Sequence, residues 1–300
     1  MGDYHGIVNL SAENARLDRY IAEGLRLMRR SQIKTRGMMA VVNGKSVKVS
    51  RLVKNGDELK LSWEDPPPCR LIPQNIPLNI VYEDSRVIVV NKPRGLVVHP
   101  GAGNMNGTLA NALLWRLNQK KGVNVDFTGS LRPFIVHRLD KDTSGLIIAA
   151  WDSEALSFLA DQFKARTVRK IYAAIVRGCP AERRGVISLN IVRDRKDRKR
   201  FTVSKDEGKS AVTYYRVVRG AADCSLLALR PKTGRTHQLR VHLRSMGHPI
   251  IGDPLYGYSD KQGAGLALHA KQLELILPDN KIRSCFRTKL PERFKAIMRG

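Results

Sequence analysis

The sequence predicts an α+β protein: a central mixed, mainly antiparallel β-sheet domain preceded by a small α+β module. Three observations lead there. Three consecutive prolines at 66–68, with Pro73 and Pro77 close behind, interrupt the 300-residue chain. Proline cannot continue a helix or donate to a sheet ladder, so this stretch reads as a stiff, extended spacer. Ahead of it the pattern is helical and then hairpin-like. Behind it strands, short helices and glycine turns follow one another without the regular rhythm of a doubly wound sheet. The expected division is a module at 1–65, a Pro-rich linker at 66–77 and a larger domain at 78–300.

In the first module, "ARLDRYIAEGL" places Leu17, Ile21 and Leu25 four apart, which predicts a helix with one apolar face. Ser31 in "MRRSQIK" is positioned to cap a second short helix. "MMAVVNGKSVKV" reads as strand, Asn-Gly turn and strand, and "LVKNGDELKL" turns at Asn55-Gly56-Asp57 into an alternating strand. In the larger domain, "LNIVYEDSRVIVV" alternates and then becomes a continuous apolar strand that ends at Asn91-Lys92-Pro93. Further apolar strands are expected at 146–150 and 226–229. A helix opened by Thr236 would carry Leu239, Leu243 and Met246 on one face and stop at Gly247.

Composition narrows the partner. Lys and Arg number 53 against 27 Asp and Glu, a formal charge of +26, while 42% of residues are hydrophobic. A globular chain with that excess favours a polyanion, nucleic acid first. Much of the excess lies beyond residue 65, so the larger domain must itself meet the polyanion. An anionic membrane would instead call for a basic amphipathic helix, and no window approaches the ~20 consecutive apolar residues of a spanning helix. The N-terminus lacks the basic-then-apolar layout of a secretory signal. The scattered Cys69, Cys179, Cys224 and Cys285 suggest neither a disulfide frame nor a zinc knuckle, and read as core fillers in a reducing cytoplasm.

Three stretches could carry chemistry. In "HRLDKDTSGL" (137–146), Arg138 and Asp140 project to the same side of an extended segment, just before a turn into an apolar strand. A turn-capping Asp or a structural ion pair with Arg138 explains the spacing as readily as catalysis does. In "GRTHQLRVHL" (234–243), Arg235 stands between strand and helix. Arg240 and Arg244 are four apart, so an anion between them would relieve their repulsion. His237 and His242 lack helical zinc spacing and read as polar or packing residues, with RNA contact possible, so no metal is expected there. In "KARTVRKIYAAIVRG" (164–178), Tyr172 follows Arg166, Arg169 and Lys170, which suits a base stacked near phosphates as well as a half-buried core tyrosine. The basic run at 193–210 reads as a surface loop.

The first module resembles the S4 RNA-binding domain through Arg16-Leu17-Asp18, Arg30-Ser31, Val42-Asn43-Gly44 and Gly56-Asp57. The resemblance implies that Arg29, Arg30, Lys34 and Arg36 meet RNA phosphates; a solvated helix face is the plainer reading. The whole chain resembles the RluA-type pseudouridine synthases that carry such a domain. The resemblance rests on "HRLDKDTSGL", "NKPRGLVVHPG", "RTVRKIYAAIV", "GRTHQLRVHL" and "GHPIIGDPLYG" in that order.

That resemblance implies an isomerase that acts without cofactor or metal. Asp140 would be the essential carboxylate, Tyr172 the ring packed on the target base, and Arg235 the cation paired with Asp140. Leu239 would wall the uracil pocket and Arg138 would help displace the nucleotide. Asn91, Lys92, His137 and Arg240 would complete the substrate site, with Arg166 and Lys170 on RNA. Large-subunit ribosomal RNA is the expected substrate, with tRNA as the alternative, and a monomer is expected. A non-catalytic RNA-binding or ribosome-assembly protein is the rival from another class.

Overall fold

The computed structural model describes residues 2–11, 13–28, 30–64, 71–101, 103–122, 135–257, 263, 265–279 and 282–299, with only the backbone of Ser31 and Lys121. Arg29, Cys69 and the three prolines at 66–68 lie outside the described residues. The chain forms two compact units, Met1–Cys69 and Arg70–Gly300.

The first unit holds strands β1 (Gly2–Ile7), β2 (Asn14–Arg16), β3 (Met39–Val42), β4 (Lys45–Val47), β5 (Leu52–Lys54) and β6 (Glu58–Trp63), with helices α1 (Leu17–Arg19) and α2 (Arg30–Thr35). Its sheet runs β1-β6-β3-β4, and β2 pairs separately with β5. The β3–β4 hairpin turns on Asn43 and Gly44, both at positive φ (50° and 75°), as an Asn-Gly hairpin turn requires. Elsewhere the sequence expectations need correction. The helix anticipated from Leu17 to Leu25 is one α turn that widens into a π turn over Tyr20–Gly24, where the Leu25 N–H reaches the Tyr20 carbonyl. Leu17 and Ile21 still fill the core. The second helix already begins at Arg30, which puts Ser31 inside it rather than at its cap. Strands β5 and β6, on either side of Asn55-Gly56, pair with different partners, so that turn closes no hairpin.

The second unit is a mixed α+β fold dominated by one ten-stranded sheet. Its strands are β7 (Ile80–Glu83), β8 (Val87–Lys92), β9 (Ser144–Ala150), β10 (Arg169–Arg177), β11 (Arg184–Arg193), β12 (Phe201–Ser204), β13 (Lys209–Gly220), β14 (Cys224–Pro231), β15 (Leu268–Ile276) and β16 (Arg283–Arg287). They run in the order β12-β11-β13-β14-β10-β15-β9-β8-β7, with β16 against β15. Every pairing is antiparallel except β9 with β15. Helices α3 (Leu109–Lys121), α4 (Ser153–Lys164), α5 (Gln238–Ser245) and α6 (Glu292–Ile297) cover it.

The continuous apolar reading of β8 and β9 has a direct cause. Ile88, Val90, Ile147 and Ala149 pack with Leu109, Leu113, Leu114 and Leu117 of α3, while Val87, Val89, Leu146 and Ile148 pack with Ala155 and Leu159 of α4. Strands covered on both faces cannot afford polar alternation. Both helices have start signals written in the sequence. Thr108 and Asn111 form a reciprocal capping box, and Asp152 accepts the Ala155 N–H at 2.8 Å. The basic run at 193–210 is no open loop: β11 and β12 pair across it as a hairpin, whose turn Asp194 closes by accepting the Lys196 and Asp197 N–H groups. Of the cysteines, Cys224 is buried, whereas Cys179 and Cys285 are exposed rather than core fillers. No helix among the described residues is long and apolar enough to cross a membrane.

The parallel contact depends on Gly145, which sits at φ +114° with the Ala270 backbone against it. A Cβ there would stand 2.3 Å from the Ala270 carbonyl oxygen. Gly145→Ala is therefore expected to lower unfolding stability by roughly 2 kcal/mol or more, measured by urea denaturation.

Candidate active site

The loop that presents Asp140 is fastened from behind before it meets the cleft. The Lys92 ammonium, fully buried, donates to the carbonyls of Pro93 (2.9 Å), Leu96 (2.8 Å) and Lys141 (3.0 Å). Burial lowers its pKa to about 8, against the pull of Asp142 and Asp140. The Gly95 N–H donates to the same Lys141 carbonyl, and the Thr143 N–H donates to the Asp140 carbonyl. His137 fixes the other end of the loop. Its Nε2 accepts the Ile148 N–H at 3.1 Å and its ring stacks on Phe163 at 4.6 Å. Burial, with Lys170 nearby, pushes the pKa of His137 down to about 3, so the ring is a neutral acceptor.

These placements change two expectations. Asn91 and Lys92, expected against the substrate, do not line the cleft. Asn91 belongs to the β8–β9 ladder opposite Leu146, and the donors of Lys92 are taken up by backbone carbonyls. The neighbouring Asp142 acts electrostatically on Lys92.

The facing wall is the start of α5. Thr236 does not cap it. His237 occupies the cap position at φ 55°, and the Gln238 side chain does the fastening. Its Oε1 accepts from the Arg235 N–H (3.0 Å) and the Thr233 hydroxyl (2.7 Å), while its Nε2 donates to the Val212 carbonyl (3.0 Å) and to Thr213 Oγ1 (3.0 Å). Two residues on, Arg240 makes a fork: Nε and Nη2 each donate to Asp253 at 2.7 Å, and Nη1 donates to Asp140 Oδ2 at 3.3 Å. The Arg240 and Asp253 side chains are 6% and 0% exposed. Burial opposes both charges. Their mutual attraction nevertheless holds Arg240 above its usual pKa and, with the Leu255 and Tyr256 N–H groups, Asp253 below its own.

The cation on Asp140 is thus Arg240, not the expected Arg235. Arg235 precedes the helix and donates through Nε to the Ser210 carbonyl at 3.1 Å. Arg244 donates to the Tyr256 carbonyl, so Arg240 and Arg244 have separate acceptors and need no shared anion. His242 is buried on Thr213 at 3.0 Å, a packing residue, but His237 belongs to the site: its Nε2 lies 3.9 Å from Asp140 Oδ2.

A cleft of about 910 Å³ gathers Arg138, Asp140, Tyr172, Arg235, His237, Leu239 and Arg240, together with His137, Arg166 and Lys170. Among its described lining residues Asp140 is the only acid, facing Arg138, Lys164, Arg166, Arg169, Lys170, Arg230, Lys232, Arg235, Arg240 and Arg283. Tyr172 is partly buried on β10, and burial together with the Asp140 charge raises its pKa, so the hydroxyl stays protonated at neutral pH. Leu239 presents a buried apolar wall, Arg138 is exposed, and Lys170 lies 5.6 Å from the Phe163 ring centroid. In the first unit Arg30 donates to Asp18 at 2.7 Å, Lys34 is exposed and Arg36 is partly buried. Arg16 and then Arg30 hold Asp18 down to about pKa 2 against the cost of burial. No group of three or more His, Cys, Asp or Glu among the described residues could hold a metal ion.

A sequence model of the family described as RNA pseudouridylate synthase matches residues 86–245, a span that contains both walls of this cleft. The chain belongs to that family. It is 44% identical to a Borreliella burgdorferi protein named ribosomal large subunit pseudouridine synthase D, over 94% of this chain and 88% of the relative. A Zymomonas mobilis protein of the same name is 38% identical, with 95% and 93% covered. Among solved structures, human RNA Pseudouridylate Synthase Domain Containing 4 aligns with TM-score 0.58 and 29% identity, over 72% of this chain and 90% of that one. The protein is therefore an isomerase of the pseudouridine synthase type.

Two outcomes follow for this synthase. Asp253→Asn leaves the buried Arg240 charge with only its longer contact to Asp140 and is expected to cost about 3 kcal/mol in urea denaturation. His137 stays neutral when folded but takes up a proton near pH 6.5 when unfolded. The stability tied to it is complete above pH 6.5 and is lost as pH falls toward 3. His137→Phe should flatten the pH dependence of stability between pH 6.5 and 5 by about 1 kcal/mol per pH unit, read from denaturation midpoints.

Proposed function

We propose that this synthase isomerises specific uridines of large-subunit ribosomal RNA to pseudouridine, with Asp140 as its essential carboxylate. The observation that carries the proposal is the one acid among the described lining residues of a cationic cleft, ion-paired to a buried Arg240. Phosphate binding alone has no use for a carboxylate facing the ligand, which argues against a purely RNA-binding protein. The rearrangement breaks the N1–C1′ bond and forms C5–C1′; C5 loses a proton and N1 gains one. Nothing is oxidised and no group leaves the nucleotide. An ionised carboxylate beside C1′ or C6 supplies the charge this needs.

Tyr172, with its hydroxyl kept protonated, serves as the ring against the base rather than as a phenolate base. Leu239 bounds the uracil from one side, and Arg138, exposed beside Asp140, takes the place the base vacates. Unstacking the nucleotide costs a few kcal/mol. The cations of the rim, Arg166, Lys170 and Arg235 among them, offset that cost by gripping flanking phosphates. The first unit serves as an S4-type RNA-binding module, with Arg29, Arg30, Lys34 and Arg36 toward RNA. The Asp18 pairs with Arg16 and Arg30 support that reading, since they hold a guanidinium that is still 54% exposed on the unit's surface. The cytoplasm is the compartment where such a substrate is met. The shared names of the two curated relatives support ribosomal RNA over tRNA.

Asp140→Ala should bind substrate RNA within about threefold of wild type yet form no pseudouridine; turnover in that variant would sink the assignment. Mapping pseudouridine in total RNA with and without this gene should show losses confined to large-subunit RNA. Losses in tRNA instead would overturn the substrate. Replacing Arg30 and Lys34 with Ala should weaken RNA binding and lower the slope of log K against log salt by about 1–2.

A further inference from the structure

The segment "GDPLYG" carries no assigned role, yet it anchors both groups that approach Asp140. Asp253 grips Arg240, and it also accepts the Leu255 and Tyr256 N–H groups at 2.9 and 3.0 Å, which fixes the turn that presents Tyr256. The Tyr256 hydroxyl oxygen accepts the Phe201 N–H at 2.8 Å and lies 2.8 Å from His237 Nδ1. Phe201 and Tyr256 also meet the His237 ring edge-on, at centroid distances of 5.6 and 5.5 Å.

The tyrosine oxygen accepts from Phe201, and its one proton can be donated to His237 Nδ1, 2.8 Å away. In that arrangement Nδ1 accepts and the ring proton sits on Nε2, the atom 3.9 Å from Asp140 Oδ2. The charged groups that act on the His237 ring are Asp140, Arg240, Asp253 and Arg138. The ring is held in a left-handed backbone conformation that a non-glycine residue adopts at a cost.

We propose that His237 is a positioning residue of this synthase. Its Nε2–H, aimed by Tyr256, orients the Asp140 carboxylate for reaction, with a contact that closes by about 1 Å once the uridine fills the cleft. Arg240 supplies the counter-charge from one side and His237 a directional donor from the other. This rests on Asp140 being the essential carboxylate.

The test separates chemistry from binding. Single-turnover pseudouridine formation at saturating enzyme and RNA affinity by filter binding are measured for His237→Phe, His237→Gln, Tyr256→Phe and Asp140→Ala. His237→Phe keeps a ring and loses the donor; its single-turnover rate should fall by about ten- to a hundredfold, with affinity within about twofold. His237→Gln, which restores an N–H at the outer position, should recover most of that loss. Tyr256→Phe should lose about three- to tenfold, because the tautomer is no longer held. A His237→Phe rate within twofold of wild type overturns the proposal, and so does an equal loss in the Phe and Gln variants. If His237→Phe does not fold, the Gln and Tyr256→Phe rates decide: wild-type turnover in Tyr256→Phe, or a Gln variant that folds but is as slow as Asp140→Ala, overturns it. An active Asp140→Ala would instead overturn the carboxylate assignment itself, a different failure with a different readout.

Discussion

A guanidinium that is 6% exposed must find a full counter-charge inside the protein, and much of this cleft is arranged around how Arg240 finds it. Left unpaired it would cost several kcal/mol. Asp253 neutralises it through two short bonds, and the geometry of that fork sets the rotation of α5 and the path of the turn after it. Only the third donor, Nη1, is left for Asp140, at 3.3 Å. That division of labour has chemical value. A carboxylate clasped in a bidentate fork has its lone pairs engaged. Asp140 instead has one longer contact to a guanidinium whose charge is already largely balanced, which suits the role of essential carboxylate proposed for it.

The opposite wall solves a related problem by different means. Lys92 is a buried cation with no carboxylate in direct contact among the described residues; three carbonyls take its donors, and Asp140 and Asp142 act on it only at longer range. It binds the turn after β8 to the loop before β9, so Asp140 projects from a braced backbone. His137 adds a neutral acceptor bonded to the β9 backbone and stacked on α4. Neither group needs to touch RNA to be indispensable to where Asp140 sits. Substitutions at either should register first in stability.

Much of this was readable from residue order, and the remainder failed for identifiable reasons. The Asn43-Gly44 hairpin and the apolar runs of β8 and β9 are local, and local chemistry decides them. The first helix went astray because four-residue apolar spacing is compatible with both an α and a π turn; the Leu25 to Tyr20 bond distinguishes them only in three dimensions. Motif order brought Asp140, Tyr172 and Leu239 into one reading, and the fold brings them to one cleft. Arg235 and Arg240 lie five apart in the same basic stretch, and nothing between them says which will face the acid. The choice is made by Asp253, whose importance is invisible until its burial is known. Nothing in local spacing marks His237; the role proposed for it depends on Tyr256, 19 residues further along the chain.

The one parallel pairing of the sheet, β9 against β15, joins His269 to Ser144 across most of the larger unit. Asp140 lies just ahead of that junction, while Arg240 and Asp253 arrive a hundred residues or more later. During synthesis the carboxylate therefore emerges from the ribosome long before its counter-charge or the strand that closes the sheet beside it. Contacts of such wide sequence separation form late. A nascent chain thus carries the basic segments that attract RNA before it has a working centre. The sheet beside Asp140 cannot close before β15 has been made.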